Sequence, residues 1–178
     1  MPRGVLREPP DALRRADLIL LTKCQGKEHT DLEKTIRRHN RHAPIHPCSH
    51  HPLHLEDVLT GEKQPLSYLQ GLRVGALAGI AVPESFFAGL VKLGAEIVYQ
   101  RSFADHHRFY ASEIENALTR TRARRGLALI TTEKDSVRFP PFPPRDIPVL
   151  FLRVEISMLD PTTTFEQTVR TALGIRPT

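Results

Sequence analysis

The chain has no tryptophan, two methionines and two cysteines among 178 residues, and aromatic side chains make up 6%. Two thiols, Cys24 and Cys48, cannot form a disulfide framework, so the composition points to a reducing compartment and to chemistry carried by other residues. The scarcity of aromatics argues against a single-stranded nucleic-acid surface, which needs stacking platforms beside its cations. Long apolar runs are absent too. The longest, Val74 to Pro83, is about ten residues, well short of the ~18 to 20 that span a bilayer. Behind Met1-Pro2-Arg3-Gly4 there is no apolar stretch of the kind a secretory signal carries. Gly 10 and Pro 15 are too few for a collagen-like or low-complexity chain, and 40% hydrophobic with 25% charged residues is an ordinary globular balance.

What is present in excess is positive charge. The formal net charge is +5, which favours anionic partners: phosphorylated molecules, nucleic acid or an anionic membrane face. The periodicity predicts a short proline-started helix near Pro9 to Arg15, a buried strand over Asp17 to Thr22, and a helix to about Asn40 capped by Thr30 or Asp31 with Leu32 and Ile36 on one face. The prolines of Pro44-Ile45-His46-Pro47-Cys48 suit an edge strand or an extended connection. Residues 51–71 lack sustained periodicity and read as a linker with two short strands at most. From Leu72 strands and helices alternate: strands at 72–80, 96–103, 127–131 and 149–156, and helices at 83–93, 112–125 (capped by Ser112) and 165–173. This pattern implies an α/β fold, a mostly parallel sheet with helices on both faces, whose ligands sit beyond the carboxyl ends of the strands.

Two segments at expected strand ends carry reactive side chains. Ala104-Asp105-His106-His107-Arg108 places a carboxylate beside two imidazoles, and on an extended segment Asp105 and His107 would share a face while His106 points away. A surface turn with satisfied histidines fits the spacing equally well. Thr131-Thr132-Glu133-Lys134-Asp135 sets hydroxyls and a mobile cation, Lys134, at a helix start that could receive an anion; Glu133 and Asp135 are also explained as acids stabilising a first helical turn. Seven of the nine histidines lie between His29 and His54, with His46, Cys48, His50, His51 and His54 in one window. Zinc sites draw paired ligands from two separated elements, so a polar loop is expected there and no metal site is predicted. Gly26-Lys27 matches the end of a phosphate-binding loop, but Leu21 stands where the first glycine belongs and Glu28 where the magnesium-binding hydroxyl belongs.

Leu6-Arg7-Glu8-Pro9, Ala16-Asp17-Leu18, Ala78-Gly79-Ile80-Ala81 with Pro83 and Phe86-Phe87, Leu93-Gly94-Ala95, Phe103-Ala104-Asp105-His106-His107 and Thr131-Thr132-Glu133-Lys134-Asp135 with Val137 occur in an order that resembles tetraacyldisaccharide 4'-kinase, an enzyme of lipid A biosynthesis. The resemblance implies phosphorylation of the 4'-hydroxyl of a tetraacyl glucosamine disaccharide with ATP and magnesium. The site would be at the cytoplasmic face of the inner membrane, with the protein peripheral to an anionic surface. It implies further that the chain is the C-terminal part of a two-domain kinase, without the family's P-loop segment and magnesium-binding acids, and that it is inactive alone. Residues 1–52 would finish the ATP-binding domain, 53–70 would be the linker and 71–178 the C-terminal α/β domain. The family's catalytic histidine, partner of an aspartate in the missing N-terminal half, carries over to His106, with His107 the alternative and Asp105 beside them. Thr132, Glu133, Lys134 and Asp135 are the candidate substrate- or phosphate-binding residues. A non-catalytic anion- or nucleic-acid-binding module is the rival reading, and nucleic acid is not the expected partner.

Overall fold

The computed structural model of the chain describes residues 6–24, 29–144 and 146–175. Gly26-Lys27 lies outside them. The elements are a 3-10 helix Pro10–Arg15, β1 Ile19–Leu21, α1 Thr30–His39, β2 Ile45–Asp57, β3 Lys63–Gln64, a 3-10 turn Leu66–Leu69, β4 Arg73–Ala78, α2 Pro83–Lys92, β5 Glu96–Ser102, α3 Ala111–Ala123, β6 Ala128–Thr132, α4 Glu133–Ser136, β7 Val149–Met158 and α5 Thr162–Ala172. They form two compact units, Met1–His51 with Ile156–Thr178, and Pro52–Glu155.

In the first unit β1 pairs in parallel with β2, and Ile19, Leu21, Cys24, Ile36 and Ala43 make a small core. Buried Asn40 locks the chain after α1. Its amide donates to the carbonyls of Leu13 and Ala16 at 2.8 Å each, and its oxygen accepts from the backbone N–H of His42 and Ala43 at 3.0 and 2.8 Å. Leu32 does not share the burial of Ile36 and is largely exposed. Neither Thr30 nor Asp31 caps α1. The cap position is His29, and both residues fall in the first turn, where Asp31 meets the helix dipole. Pro47 lies inside a 13-residue strand and not in a connection: it pairs with Leu21, and its carbonyl accepts the N–H of Leu159 at 2.9 Å. A proline is tolerated there because only its carbonyl is asked to bond.

The second unit carries parallel strands in the order β7-β6-β4-β5, with the end of β2 paired antiparallel to β3. β4 is buried from Val74 to Ala78, as a central strand covered on both faces must be. Successive side chains alternate faces. Val74, Ala76 and Ala78 pack with Phe87 and Leu90 of α2, whereas Leu77 packs with Ile114, Ala117 and Leu118 of α3. Gly75 is required for the second contact, because a Cβ there would stand 2.0 Å from Thr121 Oγ1 on α3.

Residues 53–70 are not a linker: they hold the end of β2, β3 and the 3-10 turn, and Leu55 and Leu69 are fully buried in the core under α2. Residues 156–175 group with the N-terminal segment and not with 71–155. Ser112 does not cap α3 either. The helix starts at Ala111 with Tyr110 at the cap position, and the Glu113 carboxylate reaches back to accept the N–H of Tyr110 at 3.0 Å.

Candidate functional site

Because β4, β5 and β6 are parallel, their carboxyl ends share one edge of the second unit. Phe103 N–H continues the pairing by donating to Ala78 O at 2.8 Å, and the chain then turns sharply: His107 N–H donates to Ala104 O at 3.1 Å. Asp105 and His106 form the corner, and His106 adopts a left-handed backbone with φ of 62°. This conformation is uncommon for a residue with a Cβ and is found preferentially at functional positions. The Asp105 carboxylate accepts the His106 N–H at 3.1 Å, and its other oxygen lies 3.7 Å from His106 Nε2. The His106 side chain is 88% exposed.

Of the two conformations the spacing left open the segment takes the turn, and Asp105 sides with His106, not with His107 as an extended segment would have it. His107 points inward. Its ring stacks on Phe103 at 4.4 Å, meets Phe109 edge-on at 5.0 Å, and sets Nε2 2.9 Å from Glu113 Oε2. The Arg101 guanidinium lies over the Phe103 ring at 4.5 Å, and Arg101 also faces Glu113 at 3.9 Å. Burial by itself would raise the Glu113 carboxyl, but the hydrogen bonds from His107 and the Tyr110 N–H, with the charges of His107 and Arg101, outweigh it and hold Glu113 below its ordinary range.

The Thr132 to Asp135 block sits at the end of β6 and is turned on itself. Thr132 Oγ1 donates to Asp135 Oδ2 at 2.6 Å and accepts the Asp135 N–H at 3.2 Å. Gly79, just past β4, donates its N–H to the same Asp135 oxygen at 2.9 Å, and Arg138 bonds the other at 2.8 Å. Asp135 is fully buried, Glu133 pairs with Arg153, and Lys134 alone of the four projects its cation to solvent. With both carboxylate oxygens taken, Asp135 does not fit a magnesium ligand, and α4 is too short to offer a helix dipole to a phosphate. The described residues do not fit a complete ATP and magnesium site.

Glu113 and Arg138 are parts of this edge that sequence reasoning missed, and Gly79 was read only as part of the Ala78-Gly79-Ile80-Ala81 block, without a role. For Arg138 a signal existed: it stands three residues after Asp135 in a helical register. The histidine window is dispersed. His46 Nδ1 lies 2.6 Å from Asp160 Oδ2 and its Nε2 3.1 Å from Thr168 Oγ1, His54 pairs with Glu56 at 3.3 Å, and His50 and His51 are exposed. Among the described residues no group of three or more His, Cys, Asp or Glu side chains gathers as metal ligands. Cys48 is buried, and that burial, then the nearby Cys24 and Asp160, pushes its thiol up.

Comparison with known proteins agrees with the blocks of residues that converge here. Residues 1–174 match the family model described as tetraacyldisaccharide-1-P 4'-kinase. The chain is 36% identical over 181 residues to the tetraacyldisaccharide 4'-kinase of Syntrophus aciditrophicus, covering 95% of this chain and 47% of that protein. With that of Anaeromyxobacter dehalogenans it shares 43% over 145 residues, 79% of this chain and 38% of the relative, and with that of Geobacter sulfurreducens 40% over 163 residues, 90% and 43%. The chain thus spans about half the length, or less, of these relatives. A crystal structure of LpxK from Aquifex aeolicus in complex with ATP superposes with a TM-score of 0.58 at 20% identity, over 96% of this chain and 47% of that one, which shows the same α/β fold. The chain belongs to the tetraacyldisaccharide-1-P 4'-kinase family.

Proposed function

We propose that the chain is the C-terminal half of a kinase that transfers the γ-phosphoryl group of ATP to the 4'-hydroxyl of a tetraacyl glucosamine disaccharide, and that it is inactive without the N-terminal half. The observation that carries this reading is the Asp105-His106 corner: a histidine in a left-handed turn, exposed at the carboxyl edge of a parallel sheet. In phosphoryl transfer the protein mainly positions groups and meets charge. His106 would hold an aspartate of the other half in orientation for the sugar hydroxyl's proton, and Asp105, 3.7 Å from the His106 ring, would steady the imidazole in turn. His107, bonded to Glu113, braces the corner. ATP and magnesium, when bound, supply the phosphoryl group and neutralise its charge; their contacts are assigned to the missing half, because Asp135 and Thr132 are committed to each other and Asp135 also to Gly79. Lys134, exposed at the same edge, is a cation available to a phosphate of the substrate.

The same reading places the protein peripherally on the cytoplasmic face of the inner membrane. Among the described residues no helix is long and apolar enough to cross a membrane. The net charge of +5 suits an anionic surface, where each Lys or Arg near the headgroups contributes about 1 kcal/mol. The test is reconstitution. The isolated chain, and the chain joined to the N-terminal half of the Syntrophus aciditrophicus kinase, are each given ATP, magnesium and the disaccharide lipid; transfer by the joined protein alone is expected. Transfer by the isolated chain, or none by a folded joined protein, would overturn the reading.

A further inference from the structure

The geometry points to Arg138 as a positioning residue that holds the Asp105-His106 corner in place and ties it to the Thr132 to Asp135 block. The inference rests on the reading of His106 given above. One guanidinium makes four bonds to three parts of the edge. Nε donates to Lys134 O at 3.0 Å within its own turn, and one terminal nitrogen bonds Asp135 Oδ1 at 2.8 Å and Gly79 O, just past β4, at 3.4 Å. The remaining terminal nitrogen donates to His107 O at 3.3 Å, the carbonyl of the last residue of the turn.

The anchoring is one-sided in a useful way. Asp135 is fully buried and is fixed by the N–H of Gly79 and the hydroxyl of Thr132, so the carboxylate is immobile before the guanidinium meets it. The guanidinium is then rigid relative to the sheet, and the bond to His107 O transmits that rigidity to the turn. At the other side of His107 the ring is clamped by Phe103, Phe109 and Glu113. Both restraints act on His107, the residue directly after His106, and so hold the turn in which His106 keeps its φ of 62°, a conformation with an intrinsic cost for a residue bearing a side chain. An exposed ring on an unrestrained turn would sample many directions. Lysine could not replace this residue, since the contact needs a planar fork with several N–H groups aimed at separate acceptors. The T-E-K-D block thereby gains a role other than binding substrate: its aspartate is the base on which Arg138 is mounted.

The experiment uses the joined protein described above with His106→Ala, Arg138→Lys and the double variant, and the 178-residue chain for hydrogen exchange. Arg138→Lys is expected to lower kcat about 10- to 100-fold, the cost of roughly an ångström of misplacement, with KM for ATP unchanged. The double variant is expected to be no slower than His106→Ala alone, because both changes remove the same function. Exchange at the His107 amide should quicken in Arg138→Lys while β4 and β6 stay protected. Glu113→Gln, which loosens the same turn from its other side, should reproduce a smaller loss of kcat even if Arg138→Lys fails to fold. An Arg138→Lys variant within twofold of the parent beside an inactive His106→Ala would overturn the positioning role and leave the reading of His106 standing. Independent, multiplying losses in the double variant, or full activity in a folded Glu113→Gln variant, would also overturn it. Full activity in His106→Ala would remove the reading itself, and the proposal with it.

Discussion

Gly79 donates its backbone N–H to Asp135 Oδ2 at 2.9 Å across 56 residues of sequence, joining the loop after β4 to the helix α4 after β6 through a carboxylate with no exposure to solvent. Asp135→Ala would leave that N–H without its acceptor and the Arg138 guanidinium without its carboxylate partner. A loss of about 3 kcal/mol in urea unfolding is expected, with Asp135→Asn milder because its amide oxygen still accepts from Gly79. Equal stability of Asp135→Ala and the parent would show that the carboxylate is not the clamp described.

The space at Gly79 makes a second, paired prediction. A Cβ there would lie 3.1 Å from Asp135 Oδ1 and 3.2 Å from Phe109 Cζ, so Gly79→Ala should destabilise by about 1 to 3 kcal/mol. At Gly89, inside α2, a Cβ meets nothing within 4 Å, and Gly89→Ala should stabilise by about 0.5 to 1 kcal/mol through helix propensity. Thermal melts of the two variants should move in opposite directions.

Glu113 supplies a pH signature. Its folded pKa is held below the unfolded value of about 4.3, so its contribution to stability is present above that value and is lost as pH falls through the folded pKa. The stability difference between the parent and Glu113→Gln should be present at about pH 5 and shrink as pH falls from there through the folded pKa. A difference that grows below pH 4 would contradict the assigned sign.

The cysteines offer a check on the first unit. Cys24 and Cys48 are each 1% exposed, and burial raises the Cys48 thiol, so iodoacetamide at pH 8 should label neither at an appreciable rate until urea is added. Rapid native labelling of Cys48 would mean that the packing against Asp160 and Cys24 is not maintained.

Much of the second unit was legible in the sequence because its elements state their own period. β4 is an unbroken apolar run, α2 begins at Pro83 and ends before Gly94 at φ 94°, and α3 ends before Gly126. Where burial depends on pairing with distant segments the pattern was silent. Leu55 and Leu69 stand among prolines and charges, and only the antiparallel match of Leu55 with Gln64 and the packing under α2 bring the stretch 53–70 into the core. The helix starts were misassigned because the capping of α3 falls to a carboxylate three residues inside and not to a hydroxyl at the boundary. At the candidate site the two blocks could be placed at strand ends, but the direction of each side chain could not be read. No glycine or asparagine marks the left-handed position at His106, so the D-H-H segment fitted a turn and the extended end of a strand equally well.

The central claim is that His106, and not its neighbour, faces the reaction. The decisive measurement is kcat of the joined kinase carrying His106→Ala against the same protein carrying His107→Ala, with folding of each verified by circular dichroism. His106→Ala should lower kcat by on the order of 10² to 10⁴ with little change in KM for ATP, as for a positioned acid-base partner, and His107→Ala should cost much less. A reversed order, with His107→Ala folded and nearly inactive and His106→Ala close to the parent, would contradict the account.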